Sequence, residues 1–126
     1  MLIEQIVADR ASRGVGPYSQ AVKANGFLFV SGQLGLEPNT GTIVSGGIDA
    51  ETRQALRNVT EILVAAGSSW ESVVKVTLFL ADMEDFATVN RIYEAVLGRV
   101  PPARSAVAVS SLPRNALLEI EVIAVA

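Results

Sequence analysis

The chain has 126 residues, a formal charge of −3 and 50% hydrophobic residues, with no histidine and no cysteine. These absences exclude Ser–His–Asp and Cys–His nucleophilic machinery and deprive a tetrahedral zinc site of its usual ligands. Proton transfer is left to Asp, Glu, Tyr, Lys or water, and the acidic balance gives a nucleic-acid surface little electrostatic support.

The length suits one domain, residues 1–126, with a single core. The mean hydropathy of +0.40 is high, yet no apolar run approaches the roughly 18 to 20 residues that a membrane span needs. Subunit contacts are the expected place for the surplus apolar surface. Glu4 and Asp9 come early, and no basic region precedes an apolar stretch, so the N-terminus does not read as a signal peptide. With no cysteines to staple, a cytoplasmic location is expected.

In chain order, Gly14-Val15-Gly16 does not follow a strand and open a helix, so it is no dinucleotide fingerprint. Strands are predicted at 21–24 and 27–34, joined by Asn25-Gly26, a strong hairpin signal. Glu37-Pro38-Asn39-Thr40-Gly41 reads as a turn and not a phosphate cradle, having no Lys after the glycine. A helix is predicted after Asp49 as N-cap. Ala55, Leu56, Val59, Ile62, Leu63 and Ala66 form its apolar face, and Gly67 is its stop. Trp70 is expected to cap the core beside this helix. A strand follows at 73–80.

Asp82-Met83-Glu84-Asp85 reads as a solvated helix N-terminus and not a magnesium site. The second helix opens near Asp85, with Phe86, Val89, Ile92, Tyr93, Val96 and Leu97 inward, Asn90 at the edge of that stripe and Gly98 as the stop. Two strands close the chain at 104–109 and 117–124, separated by the loop 111–115. The order implies an α+β layer with both helices on one face of a sheet.

The last two strands pose a chemical question, because apolar runs there carry Arg104, Glu119 and Glu121. Side chains alternate along a strand, so Leu118, Ile120, Val122 and Ala124 share an apolar face that should meet the helices. Glu119, Glu121, Ile123 and Val125 share the other. If the bulkier Val107 and Val109 also meet the helices, Arg104, Ala106 and Ala108 join the glutamates on the opposite face. That face would be too apolar for water, and a second copy of the chain would cover it.

GPYSQAV (Gly16 to Val22), FVSGQL (Phe29 to Leu34), DFATVNRIYE (Asp85 to Glu94) and PPARSAVAVSSLPRNALLEIEVIAVA (Pro101 to Ala126) resemble the RidA (YjgF) family. The resemblance implies a chorismate-mutase-like α+β fold: a mixed β-sheet with two helices packed on one face. It further implies a homotrimer, with sheets facing the trimer core and a cleft between each pair of subunits. The implied activity is hydrolysis of reactive 2-imino and enamino acids, 2-iminopropanoate and 2-iminobutanoate, to 2-keto acids and ammonia. That activity protects pyridoxal-phosphate enzymes and needs no cofactor and no metal. The expected partners are the small substrate and further copies of the chain, with no membrane and with nucleic acid disfavoured.

Position by position, Arg104 matches the family's substrate-binding arginine, whose planar guanidinium can grip a carboxylate through two parallel hydrogen bonds. Glu119 matches the acid that activates the attacking water and protonates the departing amine. Partial burial would raise its pKa and a nearby Arg104 would lower it. Tyr18 matches a cleft aromatic, Ser31 and Gly32 a loop bordering the cleft, and Asn90 a polar helix residue there. Ala106 stands where cysteine is common, and its backbone can still bond substrate or water. The segment ADRASRG lacks the Ala-Pro pair common before the GPY turn. Glu121 carries no family role and reads as an interface or rim residue.

Other readings compete. Arg104 could form a structural salt bridge to Glu119 or Glu121 at a subunit interface. The protein could bind small carboxylates in a regulatory role without turnover. Relatives of the family are also described as endoribonucleases, translation inhibitors or chaperones.

Overall fold

The computed structural model describes residues 2–14 and 16–126; Val15, in the Gly14-Val15-Gly16 triplet, lies outside the described residues. The first regular segment, β1 (Glu4–Ile6), is too short for any sequence signal, and it pairs antiparallel with β2 (Ala21–Ala24). From β2 the chain turns into β3 (Phe27–Gln33) through Asn25 and Gly26. Both turn residues have positive φ, 52° and 79°, as a two-residue hairpin with right-handed strand twist demands.

The helix α1 (Gly47–Ala65) begins two residues before Asp49. Gly46, at φ 120°, takes the cap position, and Asp49 sits in the first turn instead. There it accepts from Arg53 at 2.7 Å, which holds its carboxyl below the usual range. Ala55, Leu56, Val59, Ile62, Leu63 and Ala66 are all buried as the 3.6-residue period requires. Gly67, at φ 75°, lies just past the end. The indole of Trp70 donates to Thr60 on α1 at 2.8 Å and packs beside the core, as expected.

After β4 (Val73–Leu80), the helix α2 spans Phe86–Glu94, with Asp85 at its cap position. It ends before Val96, Leu97 and Gly98, so Gly98 is not its stop. Gly98 instead lies against the carboxyl of Glu71, leaving no room for a side chain. The last strands are β5 (Ala103–Ala108) and β6 (Leu118–Val125).

Among the described residues the strands form one mixed sheet in the order β1-β2-β3-β6-β4-β5. Only β4 and β5 run parallel. That pair needs a crossover connection, and α2 lies within it. Both helices cover one face, where Val76, Leu78, Leu80, Leu118, Ile120, Val122 and Ala124 are buried. Phe27, Phe29, Thr77, Glu121, Ile123 and Val125 alternate onto the other face, which no helix among the described residues covers.

One expectation is overturned. Arg104 and Ala106 do not share a face with Glu119 and Glu121. Arg104 is registered with Val76, which is in turn registered with the buried Val122, whereas Glu119 is registered with Phe79 and Glu121 with Thr77. Arg104 therefore stands on the helix-covered face, and Ser105 and Val107 stand on the open one. The reason is the edge position of β5. At the margin of the sheet, α2 packs over a small residue, Ala106, and over a long side chain with an apolar stem. The bulk of Val107 is turned outward.

Candidate active site

Glu119 sits on β6 at the wall of a cavity of about 240 Å³, which is also lined by Tyr18, Gly32, Gln33, Leu34 and Arg114. Its carboxyl is half-buried and titrates above the ordinary glutamate range. Loss of hydration is the first cause and the negative charge of Glu121 the second. Arg104, on the other face, does not counter it. Gly32 explains how the carboxyl fits: a Cβ there would stand 2.6 Å from Glu119 Cδ and 2.8 Å from Oε2.

The neighbouring strand end is pinned. Ser31 Oγ donates to the Ser19 carbonyl at 2.6 Å, tying β3 to the turn that carries Tyr18. Tyr18 is 55% exposed and folds over Gly14, where only a hydrogen leaves room for its ring.

The back wall is fixed by α1. Asn58 Nδ2 donates to the carbonyls of Leu34 (3.2 Å) and Leu36 (3.0 Å), and its Oδ1 accepts from Gln54. Glu51 Oε1 accepts from the amide of Leu117, two residues before Glu119. On the far side, Gln20 accepts from the Ala8 amide and donates to the carbonyls of Ala8 and Ser12.

Arg104 belongs to a second cavity, of about 370 Å³, with Asn90, Tyr93, Glu94, Leu97, Pro101 and Pro102. Nη1 donates to Asn90 Oδ1 at 2.6 Å. The guanidinium carbon lies 5.3 Å from the centre of the Phe86 ring and 5.2 Å from that of Tyr93. Among the described residues, no carboxylate of the same chain pairs with it; the ion pairs involve Arg10, Arg13 and Arg53. Within one chain Arg104 pairs with neither Glu119 nor Glu121; the reading of it as their salt-bridge partner concerns an interface between copies. Ala106 is half-buried on the same face and packs against the core.

The seven residues singled out in the sequence thus divide between two places. Tyr18, Gly32 and Glu119 line the first cavity, with Ser31 beside it outside its wall. Arg104 and Asn90 line the second, with Ala106 on the same face of the sheet. Along β4, the registered positions Val76 and Phe79 separate the two by three residues, roughly 10 Å, besides placing them on opposite faces. Phe86 and Tyr93 were legible only as core positions of the second helix. Their spacing from Asn90, at i, i+4 and i+7, puts all three on one helix face. Arg114 was legible only as a loop residue, although it and Asn115 adopt left-handed backbone with φ 58° and 54°.

A sheet of this order with two helices on one face and a half-buried acid on a central strand defines an α+β protein of the YjgF/RidA type. The comparisons agree. The endoribonuclease L-PSP family pattern matches residues 9–126, and the chain belongs to that family, known also as YjgF/RidA. A RutC family protein of Pyrococcus horikoshii is 51% identical over 121 residues, 96% of each chain. The 2-iminobutanoate/2-iminopropanoate deaminase of mouse is 47% identical over 98% of this chain and 93% of its own. In structure, an Entamoeba histolytica protein named after endoribonuclease L-PSP superposes with a TM-score of 0.96 at 39% identity, covering 99% of this chain and 100% of its own. No helix among the described residues is long and apolar enough to cross a membrane.

Proposed function

We propose that the chain is a hydrolytic deaminase of small 2-imino and enamino acids, of the 2-iminobutanoate and 2-iminopropanoate kind, whose site is completed between copies of the chain in a closed homotrimer. The observation that carries this reading is the division of the site. One face presents an acid held partly out of water, and the other presents an arginine with no carboxylate partner among the described residues. The uncovered face carries Phe27, Phe29, Val107 and Val125, each substantially exposed, which suits burial against another subunit. The name of the mouse relative points to the same chemistry.

In this reading Arg104 of one copy grips the substrate carboxylate in two parallel hydrogen bonds. Glu119 of the next copy, ionised, takes a proton from water as its oxygen bonds to the imine carbon. That proton passes to nitrogen to give the neutral carbinolamine. Glu119 then takes the carbinol hydroxyl proton and delivers it to nitrogen as the C–O bond becomes the carbonyl and the C–N bond breaks, so that ammonia leaves with the 2-keto acid. An enamine enters the same path after protonation at carbon gives the imine. Tyr18 and Gly32 wall the acid's side, Ser31 ties the strand beside it to the turn that carries Tyr18, and Asn90 fixes Arg104.

The test is a competition for the imine. A dehydratase acting on threonine generates it in situ, semicarbazide traps it, and this protein is expected to suppress trapping. If trapping is unchanged while 2-ketobutyrate still binds, the cleft is a carboxylate sensor and hydrolysis is ruled out.

The same assay tests Gly32. The Cβ of Gly32→Ala meets a side-chain carboxyl that can rotate away, so the fold is expected to survive, with a melting temperature close to wild type. Displacing Glu119 by about an ångström should lower kcat about a hundredfold. Unchanged kcat would separate the position of Glu119 from turnover.

A further inference from the structure

We propose that Phe86 and Tyr93 are positioning residues that hold the Arg104 guanidinium flat between their rings, so that it can offer a carboxylate only its free edge. The ligand-binding part of this inference rests on the reading of Arg104 given above; the geometry does not.

Arg104 is the residue whose placement the sequence pattern handled worst, and α2 shows why it is tolerated on a core-facing side. A guanidinium drawn partly out of water needs compensation, and among the described residues no acid pairs with it. The compensation comes from α2. Phe86 and Tyr93 are seven residues apart, and each ring centre lies just over 5 Å from the guanidinium carbon. That is within the distance at which a cation is attracted to a ring face. Asn90, between them, takes one N–H of Nη1. Two rings and one amide restrict both the tilt and the spin of the group, while the remaining N–H donors stay available.

The clamp is itself braced. Tyr93 is 4% exposed and meets Trp70 edge-on with ring centres 6.5 Å apart. Trp70 is in turn fixed to Thr60 of α1. Among the described residues the Tyr93 hydroxyl has no hydrogen-bond partner, and the contact with Arg104 is made by the ring. Tyr93→Phe should therefore preserve the arrangement, whereas Tyr93→Leu and Phe86→Leu remove a π face.

Nuclear magnetic resonance of the wild-type protein with nitrogen-15-labelled arginine reads the geometry directly, with Arg104→Ala used to assign the signal. The Arg104 Nε–H proton is expected upfield of those of the other arginines, because it lies over ring faces, with slowed rotation about Nε–Cζ. An Arg104 signal at the position and rotation rate of exposed arginines overturns the clamp, whatever the protein's activity.

Titration with 2-ketobutyrate then reads its consequence. Phe86→Leu and Tyr93→Leu should each bind about tenfold more weakly, with Tyr93→Phe close to wild type. Wild-type affinity in both leucine variants also overturns the proposal. If wild type binds no 2-ketobutyrate, the proposed function fails, and the resonance measurement alone decides the clamp. The same measurement decides it if a leucine variant does not fold.

Discussion

Arg104→Ala and Glu119→Gln, each inactive alone, are expected to restore activity when mixed. Each loss should be large. Leaving a substrate carboxylate without its arginine should cost on the order of 10²- to 10³-fold, and removing a general base about 10²- to 10⁴-fold. The recovery follows from the sheet. Arg104 faces α2 from the edge strand β5, while Glu119 lies on the opposite face of β6. One chain cannot bring both to one small molecule, but two chains can. In the closed ring proposed above, each site would take Glu119 from one copy and Arg104 from the next, so in an equal random mixture both would be intact at about one site in four. Co-expressed variants, with mixed assemblies verified by native mass spectrometry, should show about a quarter of wild-type turnover. Verified mixed assemblies without recovery would sink the shared site.

The second large effect concerns pH. A base must be ionised to accept a proton from water, and burial and Glu121 both hold Glu119 towards its neutral form. The acid limb of kcat/KM should therefore lie above the ordinary glutamate value of about 4.3. In Glu121→Gln it should move to lower pH, because the repulsion is gone and the desolvation remains. A limb that does not move removes Glu121 from the electrostatics of the site.

Stability gives an independent reading of the same shift. A carboxyl whose pKa is raised in the folded state favours folding while it is neutral, fully so below the unfolded value. That contribution is lost as pH rises through the folded pKa. Glu119→Gln, which cannot ionise, should accordingly melt higher than wild type near neutral pH. The difference should close as pH falls below about 4.3. A lower melting temperature at neutral pH would show that the ionised carboxylate is welcome where it stands.

Much of this architecture could be read from periodicity. The stripe from Ala55 to Ala66 is the buried face of α1, and Asn25-Gly26 makes the hairpin. The alternation from Leu118 to Ala124 assigns β6 its two faces correctly. What failed was β5. Alternation gives two faces for Arg104–Ala108 but does not say which one is inward, and side-chain bulk is the remaining guide. At a sheet edge beneath a single short helix that guide inverts, since Ala106 allows close approach and the arginine finds aromatic faces. Motif matching brought Arg104, Asn90, Tyr18 and Glu119 to notice, yet it carries no information about which chain supplies which residue. The aromatic clamp escaped because Phe86 and Tyr93 are ordinary members of an apolar stripe until the partner across the gap is known to be charged.

The two amides that brace the Glu119 cavity are not equivalent. Asn58, 1% exposed in the middle of α1, holds the carbonyls of Leu34 and Leu36 from inside the core. Gln20 ties down only the short run from Ala8 to Ser12. To lift the Leu34–Leu36 side, α1 must give up its packing, so backbone amides there should exchange with solvent only when the whole domain opens. The Ser12–Gly14 side can part by breaking a few hydrogen bonds. The cavity thus has a fixed jaw and a yielding one, and in the proposed reaction water and product would pass on the side where Tyr18 rests on Gly14.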